Sequence, residues 1–223
     1  MIRCTLSFCR RFVCGLLGCC LVATAGAALA DTKAPKTAPA TKAEAKAKAD
    51  SKAAPSHEAM MDEMMKFATP GENHKALEPL VGSWKESIKM WNGPGDPQIS
   101  EGTCESSWIM GGRYLMTKHT GTMGGMPFEG MEIMGYDVRF SQYVSAWVDN
   151  MGTSIAMTTS GMMDPATKTL TMTMPMFDPM TKVMMPFKNV TKIVDENSHT
   201  FTMSSNRGGK ETTEMEITYT RVK

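Results

Sequence analysis

The chain has 223 residues, 42% of them hydrophobic and 21% charged, with a formal net charge of +1. That length supports one sizeable core, and the acidic balance of residues 58–223 argues against nucleic acid as a partner, since phosphate binding rests on clustered Lys and Arg. The chemical peculiarity is methionine, at 24 residues against 8 phenylalanines.

Residues 1–30 carry Arg3, Arg10 and Arg11, then the apolar run Phe12 to Ala27, then Ala28-Leu29-Ala30 before Asp31. This charged, apolar, small-residue order predicts a secretory signal peptide cleaved after Ala30, and hence an exported protein, periplasmic or secreted. The apolar stretch falls short of the roughly 20 residues of a membrane span, so no span is expected. An alternative lies within the same segment: Leu16-Leu17-Gly18-Cys19 resembles a bacterial lipobox, in which Cys19 would be lipidated. The stretch after Cys19 stays apolar to Ala30, whereas a polar tether is the usual sequel.

Five of the six cysteines sit in that segment, leaving Cys104 alone in the mature chain and no intrachain disulfide possible. Between Glu101 and Glu105, Cys104 reads as a small buried hydrophobe rather than a reactive thiol. Residues 31–57 are almost entirely Ala, Lys, Pro and Thr; they cannot bury enough surface to offset ordering and are read as a disordered spacer. Its six lysines face only Asp31, Glu44 and Asp50, so the spacer is basic and the remainder acidic. A solubilising tether is the plain reading, contact with anionic lipid or cell wall the other.

A helical lead-in is expected over 58–81. Met60, Met61, Met64 and Met65 recur at helical spacing with acidic residues between, which predicts an apolar stripe packed against the following domain in preference to metal capture. Thr69-Pro70-Gly71 ends it, and Glu72 to Leu80 makes a further turn or two.

From Gly82 the chain alternates in short segments separated by turn residues, the pattern of an all-β domain: a single closed antiparallel up-and-down β-barrel of about ten strands over 82–223. Strands are expected near 82–90, 98–109, 114–120, 128–136, 143–149, 154–160, 169–177, 183–194, 200–204 and 212–222. Asp164-Pro165-Ala166-Thr167-Lys168 recurs as Asp178-Pro179-Met180-Thr181-Lys182, two turns preset by Asp and Pro that bracket one strand. On that strand Leu170, Met172, Met174 and Met176 share the face opposite Thr169, Thr171 and Thr173. Alternation also sends Met185, Phe187, Met203, Phe201, His199, Met215, Ile217, Tyr219 and Arg221 inward.

Gly82-Ser83-Trp84 on the first strand, with Arg221 on the inward face of the last, resembles the calycin signature, in which an arginine packs across the tryptophan to close the barrel base. Met110-Gly111-Gly112-Arg113-Tyr114-Leu115, Met126-Pro127-Phe128-Glu129-Gly130, Gly135-Tyr136-Asp137 and the stretch Tyr143 to Thr153 are similar to an uncharacterised family of exported bacterial proteins, domain of unknown function 1579. The likeness covers about residues 71–223. It implies a calycin-like, lipocalin-like barrel, with Trp84 and Arg221 as its closure, and little chemistry.

Three function classes follow. The leading one is a non-catalytic barrel holding a small apolar ligand, its lumen lined by Met172, Met174, Met176, Met185, Met203 and Met215 with Phe201, Tyr219 and Trp147 as flat walls; flexible, polarisable thioethers mould to varied shapes. The second is Cu(I) bound by Met172, Met174 and Met176, three soft ligands at steps of about 7 Å, with His119 and His199 as nitrogen donors; His199 beside Phe201 also invites haem, since a related calycin-like family binds haem through a barrel histidine. The third is an enzyme using a desolvated lumen carboxylate, Glu86 or Glu132, though a buried Glu satisfied by Arg221 or Arg113 is the commoner outcome. No nucleophile elbow, paired metal-ligand histidines or Gly-rich phosphate loop is present, so no catalytic residue or obligatory cofactor is assigned. Oligomeric state is not legible.

Overall fold

A computed structural model describes residues 55–178 and 181–223. The expected signal segment 1–30 and the expected spacer 31–57, apart from its last three residues, lie outside the described residues. No helix among the described residues is long and apolar enough to cross a membrane.

Ser56 opens helix α1 (His57–Ala68) by accepting the Ala59 amide on its hydroxyl at 3.2 Å, which satisfies one of the amide groups a helix start leaves unpaired. The expectation that its methionines pack against the domain is corrected here. Helix α1 buries no residue, and Met60, Met61, Met64, Met65 and Phe67 are each 44–58% exposed. The covering position is taken by the next segment, helix α2 (Glu72–Lys75) and a 3₁₀ turn (Glu78–Leu80). That segment offers the branched side chains Leu77 and Leu80, both buried.

Eleven strands follow, one more than expected: β1 (Gly82–Met90), β2 (Gln98–Ile109), β3 (Tyr114–Met123), β4 (Met126–Asp137), β5 (Gln142–Asp149), β6 (Ala156–Met157), β7 (Ser160–Asp164), β8 (Thr169–Asp178), β9 (Val183–Asp195), β10 (Ser198–Arg207) and β11 (Lys210–Arg221). The extra strand arises at 154–160, where one strand was expected. The chain instead makes the two-residue β6 against β5 and then starts β7 against β8.

All pairings are antiparallel, in the order β6-β5-β4-β3-β2-β1-β11-β10-β9-β8-β7. The sheet is thus up-and-down throughout, with first and last strands paired at its centre. Trp84 stands directly opposite Arg221 in that central pair. The ladder ends at β6 on one side and β7 on the other, so a closed strand ladder, as expected from the sequence, is not what the pairing gives.

The repeated turns follow their chemistry. Asp164 accepts the Ala166 amide at 2.9 Å and the Thr167 hydroxyl at 2.7 Å, while Asp178 accepts the Lys182 amide on its main-chain carbonyl at 2.8 Å. Both hairpins finish on a lysine in the left-handed region, Lys168 at φ 52° and Lys182 at φ 57°, where only a few per cent of non-glycine residues are found.

Two apolar clusters organise the interior. Leu77, Leu80, Leu115, Met134, Tyr143, Leu170, Met172 and Ile193 pack together under the α2 segment; Trp84, Cys104, Ile217 and Tyr219 form the second, with Ile88, Phe201 and Met215 against it. Polar contacts tie the α2 segment down. The Tyr143 hydroxyl donates to the Asn73 carbonyl at 2.9 Å, the Trp84 indole to the Leu80 carbonyl at 3.1 Å, and the Trp108 indole to Glu78 at 2.6 Å.

Candidate functional site

Because side chains alternate across a strand, the register decides which of them meet. Trp84 on β1 opposes Cys104 on β2, which opposes His119 on β3, which opposes Gly130 on β4. Glu86 lies two residues beyond Trp84 on the same face. Glu86, Cys104 and His119, with β4 and β5 on one side and β8 to β11 on the other, line a cavity of about 270 Å³. It sits just below the range of about 300–1,000 Å³ typical of drug-sized ligands.

Most of the lining is apolar. Met172, Met174, Met176, Met203 and Met215 all line it, as do Phe201, Tyr219 and Trp147. Met172 and Met174 are 2% and 3% exposed. Met185 does not belong to the lining: it pairs with Met176 across β9 and β8, and its sulfur accepts the Thr181 hydroxyl at 3.9 Å. Phe187 is buried but also lies outside the lining. Pairing places Met185 near the β8–β9 hairpin tip, so alternation alone, which gave its face, could not give its depth.

The polar groups concentrate on the β1–β4 wall. Glu86 and His119 are joined at 2.7 Å between Oε1 and Nδ1, with side chains only 3% and 11% exposed. Cys104 is buried beside them; burial first, and then the Glu86 carboxylate, push its thiol pKa up. The His119 ring is tilted against Trp147 with centroids 5.3 Å apart, and the Trp147 indole donates to Asp149 at 2.7 Å. Glu132 also lines the cavity, where burial raises its carboxyl pKa and the Ser145 hydroxyl partly offsets that. Neither carboxylate is held by the arginines the sequence suggested. Arg113 donates instead to the Met110 carbonyl at 3.0 Å, and Arg221 to three carbonyls.

Arg221 occupies the other end of that central pair. Its guanidinium lies 4.0 Å from the Trp84 ring centroid, within cation–π reach. It donates to the carbonyls of Glu196 at 2.7 Å, Val81 at 2.7 Å and Pro79 at 3.0 Å. Gly82 is needed for this: at φ 128° a side chain is strained, and a Cβ there would stand 2.3 Å from the guanidinium Nη1. Trp84 itself is 1% exposed.

His199, a proposed nitrogen donor, is stacked on Tyr219 with centroids 4.1 Å apart and planes at 10°, and the Trp84 ring meets it edge-on at 4.4 Å. Its Nδ1 is buried with no hydrogen-bond partner. Burial above all, then the charge of Arg221, lower its pKa to about 4. Both histidines line the cavity, but their partners differ: His119 is bonded to Glu86 on the carboxylate wall, and His199 joins the aromatic stack next to Trp84.

Sequence reasoning missed the association of Glu86, Cys104 and His119. They lie far apart in sequence, and only the register of three strands brings them together.

The sequence profile described as "Protein of unknown function (DUF1579)" matches residues 69–221. Among curated proteins no relative matches the chain. Among solved structures, Rv2717c from M. tuberculosis is similar at 13% identity and a TM-score of 0.50, covering 70% of this chain and 100% of its own. An S-type phycobiliprotein lyase, CPES from Guillardia theta, is similar at 9% identity and a TM-score of 0.45, over 69% of this chain and 99% of that one. A redesigned β-barrel shares 15% identity at a TM-score of 0.35, over 66% and 96%. With its profile matched over more than half its length, the chain belongs to the DUF1579 family.

Proposed function

We propose that this protein is an exported, non-catalytic β-barrel that binds a small, largely apolar ligand in a methionine-rich lumen. The observation that carries the reading is the cavity of about 270 Å³ between the two halves of the sheet, lined by Met172, Met174, Met176, Met203 and Met215 with Trp147, Phe201 and Tyr219. Convergent polar groups on one wall of an otherwise apolar pocket are the usual form of a small-molecule site. Thioethers adapt to irregular apolar shapes at little cost.

The reading treats the sheet as wrapped into a closed barrel. Supporting this, successive residues between β6 and β7 join its two edges: the Thr158 amide donates to the Ser145 carbonyl on β5 at 2.9 Å, and the Thr159 amide to the Thr173 carbonyl on β8 at 2.8 Å. Gly161 lies so close to β5 that a Cβ would stand 2.2 Å from the Tyr143 carbonyl oxygen. Export rests on Arg3, Arg10 and Arg11, the apolar run after them and Ala28-Leu29-Ala30, which put the mature start at Asp31.

Thioether copper is the second reading, favoured by Met172 and Met174 lying buried side by side on β8. Haem is not supported. His199 lines the cavity, but its ring is covered by the Tyr219 face and the Trp84 edge. The test is a titration of the neutral fluorophore N-phenyl-1-naphthylamine and of Cu(I) into the wild type and the variant M172L/M174L/M176L. Leu and Met are close in volume and polarity, so an apolar site keeps its affinity for the fluorophore. Tight copper binding that the variant abolishes, with no fluorophore uptake by either protein, would overturn the reading.

A further inference from the structure

We propose that Glu86, Cys104 and His119 form a metal centre for a divalent ion of the zinc class, with the ion's fourth position open to the cavity. This goes beyond ligand binding, because the ion would occupy the β1–β3 wall rather than the apolar volume.

The donor set is the first argument. One carboxylate oxygen, one sulfur and one imidazole nitrogen converge from three neighbouring strands, with all three ligand atoms within 4.8 Å of one another. Zinc sites with an open position characteristically use three protein ligands drawn from His, Cys and Asp or Glu. A tetrahedral ion with Zn–N near 2.0–2.1 Å and Zn–S near 2.3 Å sets its donors roughly 3.3–3.7 Å apart. Glu86 Oε1 and His119 Nδ1 now stand 2.7 Å apart, so entry of the ion parts them by somewhat over half an ångström, while the sulfur, within 4.8 Å of the other donors, closes by no more than about 1.3 Å. Rotamer adjustments supply movements of that size without shifting a strand.

The second argument is that the place is built. Gly102, opposite Glu86 on β2, has no side chain where a Cβ would stand 2.6 Å from Glu86 Oε2, and any larger residue would displace the carboxylate. All three ligand residues belong to strand interiors, which position ligands more firmly than loops do. Burying a carboxylate, an imidazole and a thiol together is also costly for stability alone, since apolar residues of like volume would serve as well or better. Binding would convert the thiol to a thiolate with release of its proton to solvent, and the ion's two positive charges would offset the cost of burying the two anionic ligands.

Cobalt(II) is the probe, because a thiolate ligand gives it a charge-transfer band in the near ultraviolet. The full chain is used with Cys4→Ser, Cys9→Ser, Cys14→Ser, Cys19→Ser and Cys20→Ser, so that Cys104 is its one thiol. One equivalent of Co²⁺ should produce the charge-transfer band and the intense visible absorption of a four-coordinate ion, and Zn²⁺ should remove both. Adding Cys104→Ser should abolish the charge-transfer band. His119→Ala should weaken binding at least as much as the roughly 10–100-fold loss typical of an outer-shell partner. A chain retaining Cys104 that binds no Co²⁺, or binds it without the charge-transfer band, would overturn the proposal whatever the variants do; so would a band that survives Cys104→Ser.

Discussion

The two ends of the β1–β11 pair carry opposite designs. At the Trp84–Arg221 end the packing is tight: Trp84 is 1% exposed, Arg221 spans three carbonyls, Leu77 of the α2 segment is wholly buried, and the buried His199 Nδ1 is left without a hydrogen-bond partner. Beyond Glu86 the same strands border a cavity, and polar groups sit in its wall without an arginine to neutralise them. Packing that leaves no void confers stability; a void with convergent polar groups costs stability and is kept where something binds. On the proposed function, the first region supplies stability and the second binding.

The contrast can be broken most severely at Trp84. Trp84→Ala removes the ring under Arg221 and the indole bond to Leu80, and should destabilise by about 3–5 kcal/mol, the usual range for a buried aromatic. Chemical denaturation at neutral pH measures it. A loss under about 1 kcal/mol would mean that the closed end is not the source of stability.

His199 offers a pH-dependent probe of the same end. Its pKa falls from 6.5 to about 4 on folding, chiefly through burial. Above pH 6.5 it is neutral whether folded or not, and no penalty exists. As pH falls from 6.5 toward 4 the unfolded chain takes up a proton that the folded chain refuses, so stability drops, by at most about 3 kcal/mol at pH 4. His199→Gln should flatten the curve over that window relative to wild type. Parallel curves would show that His199 is solvated.

The smallest effect is expected at helix α1. Changing Met60, Met61, Met64 and Met65 together to Gln should alter stability by no more than about 0.5 kcal/mol, as is usual for exposed positions away from special features. A loss of 2 kcal/mol or more, in the range of buried apolar truncations, would show that the stripe is covered after all.

These methionines show what was legible in the sequence and what was not. On β8, period-two alternation with threonine gave the correct inward face for Met172 and Met174, because burial on a sheet follows alternation. On α1 the helical period was equally clear and the helix forms, but period says which residues share a face, not whether a partner reaches it. The turns were read from Asp-Pro chemistry, which is local. The split of 154–160 into β6 and β7 was missed because it depends on which edge each residue meets, Ser145 or Thr173. The Glu86–Cys104–His119 cluster was missed for the same reason: 33 residues separate its outer members in sequence, and only the register of β1, β2 and β3 unites them.

The most direct test of the binding assignment is native mass spectrometry of the protein recovered from its own cells without denaturant, followed by titration of the emptied protein with N-phenyl-1-naphthylamine. One equivalent of a small apolar molecule carried by the folded chain, and saturable one-to-one uptake of the fluorophore after its removal, are the expected results. A bare protein mass together with no saturable uptake would contradict the account, and the cavity would then be a packing gap between two well-made walls.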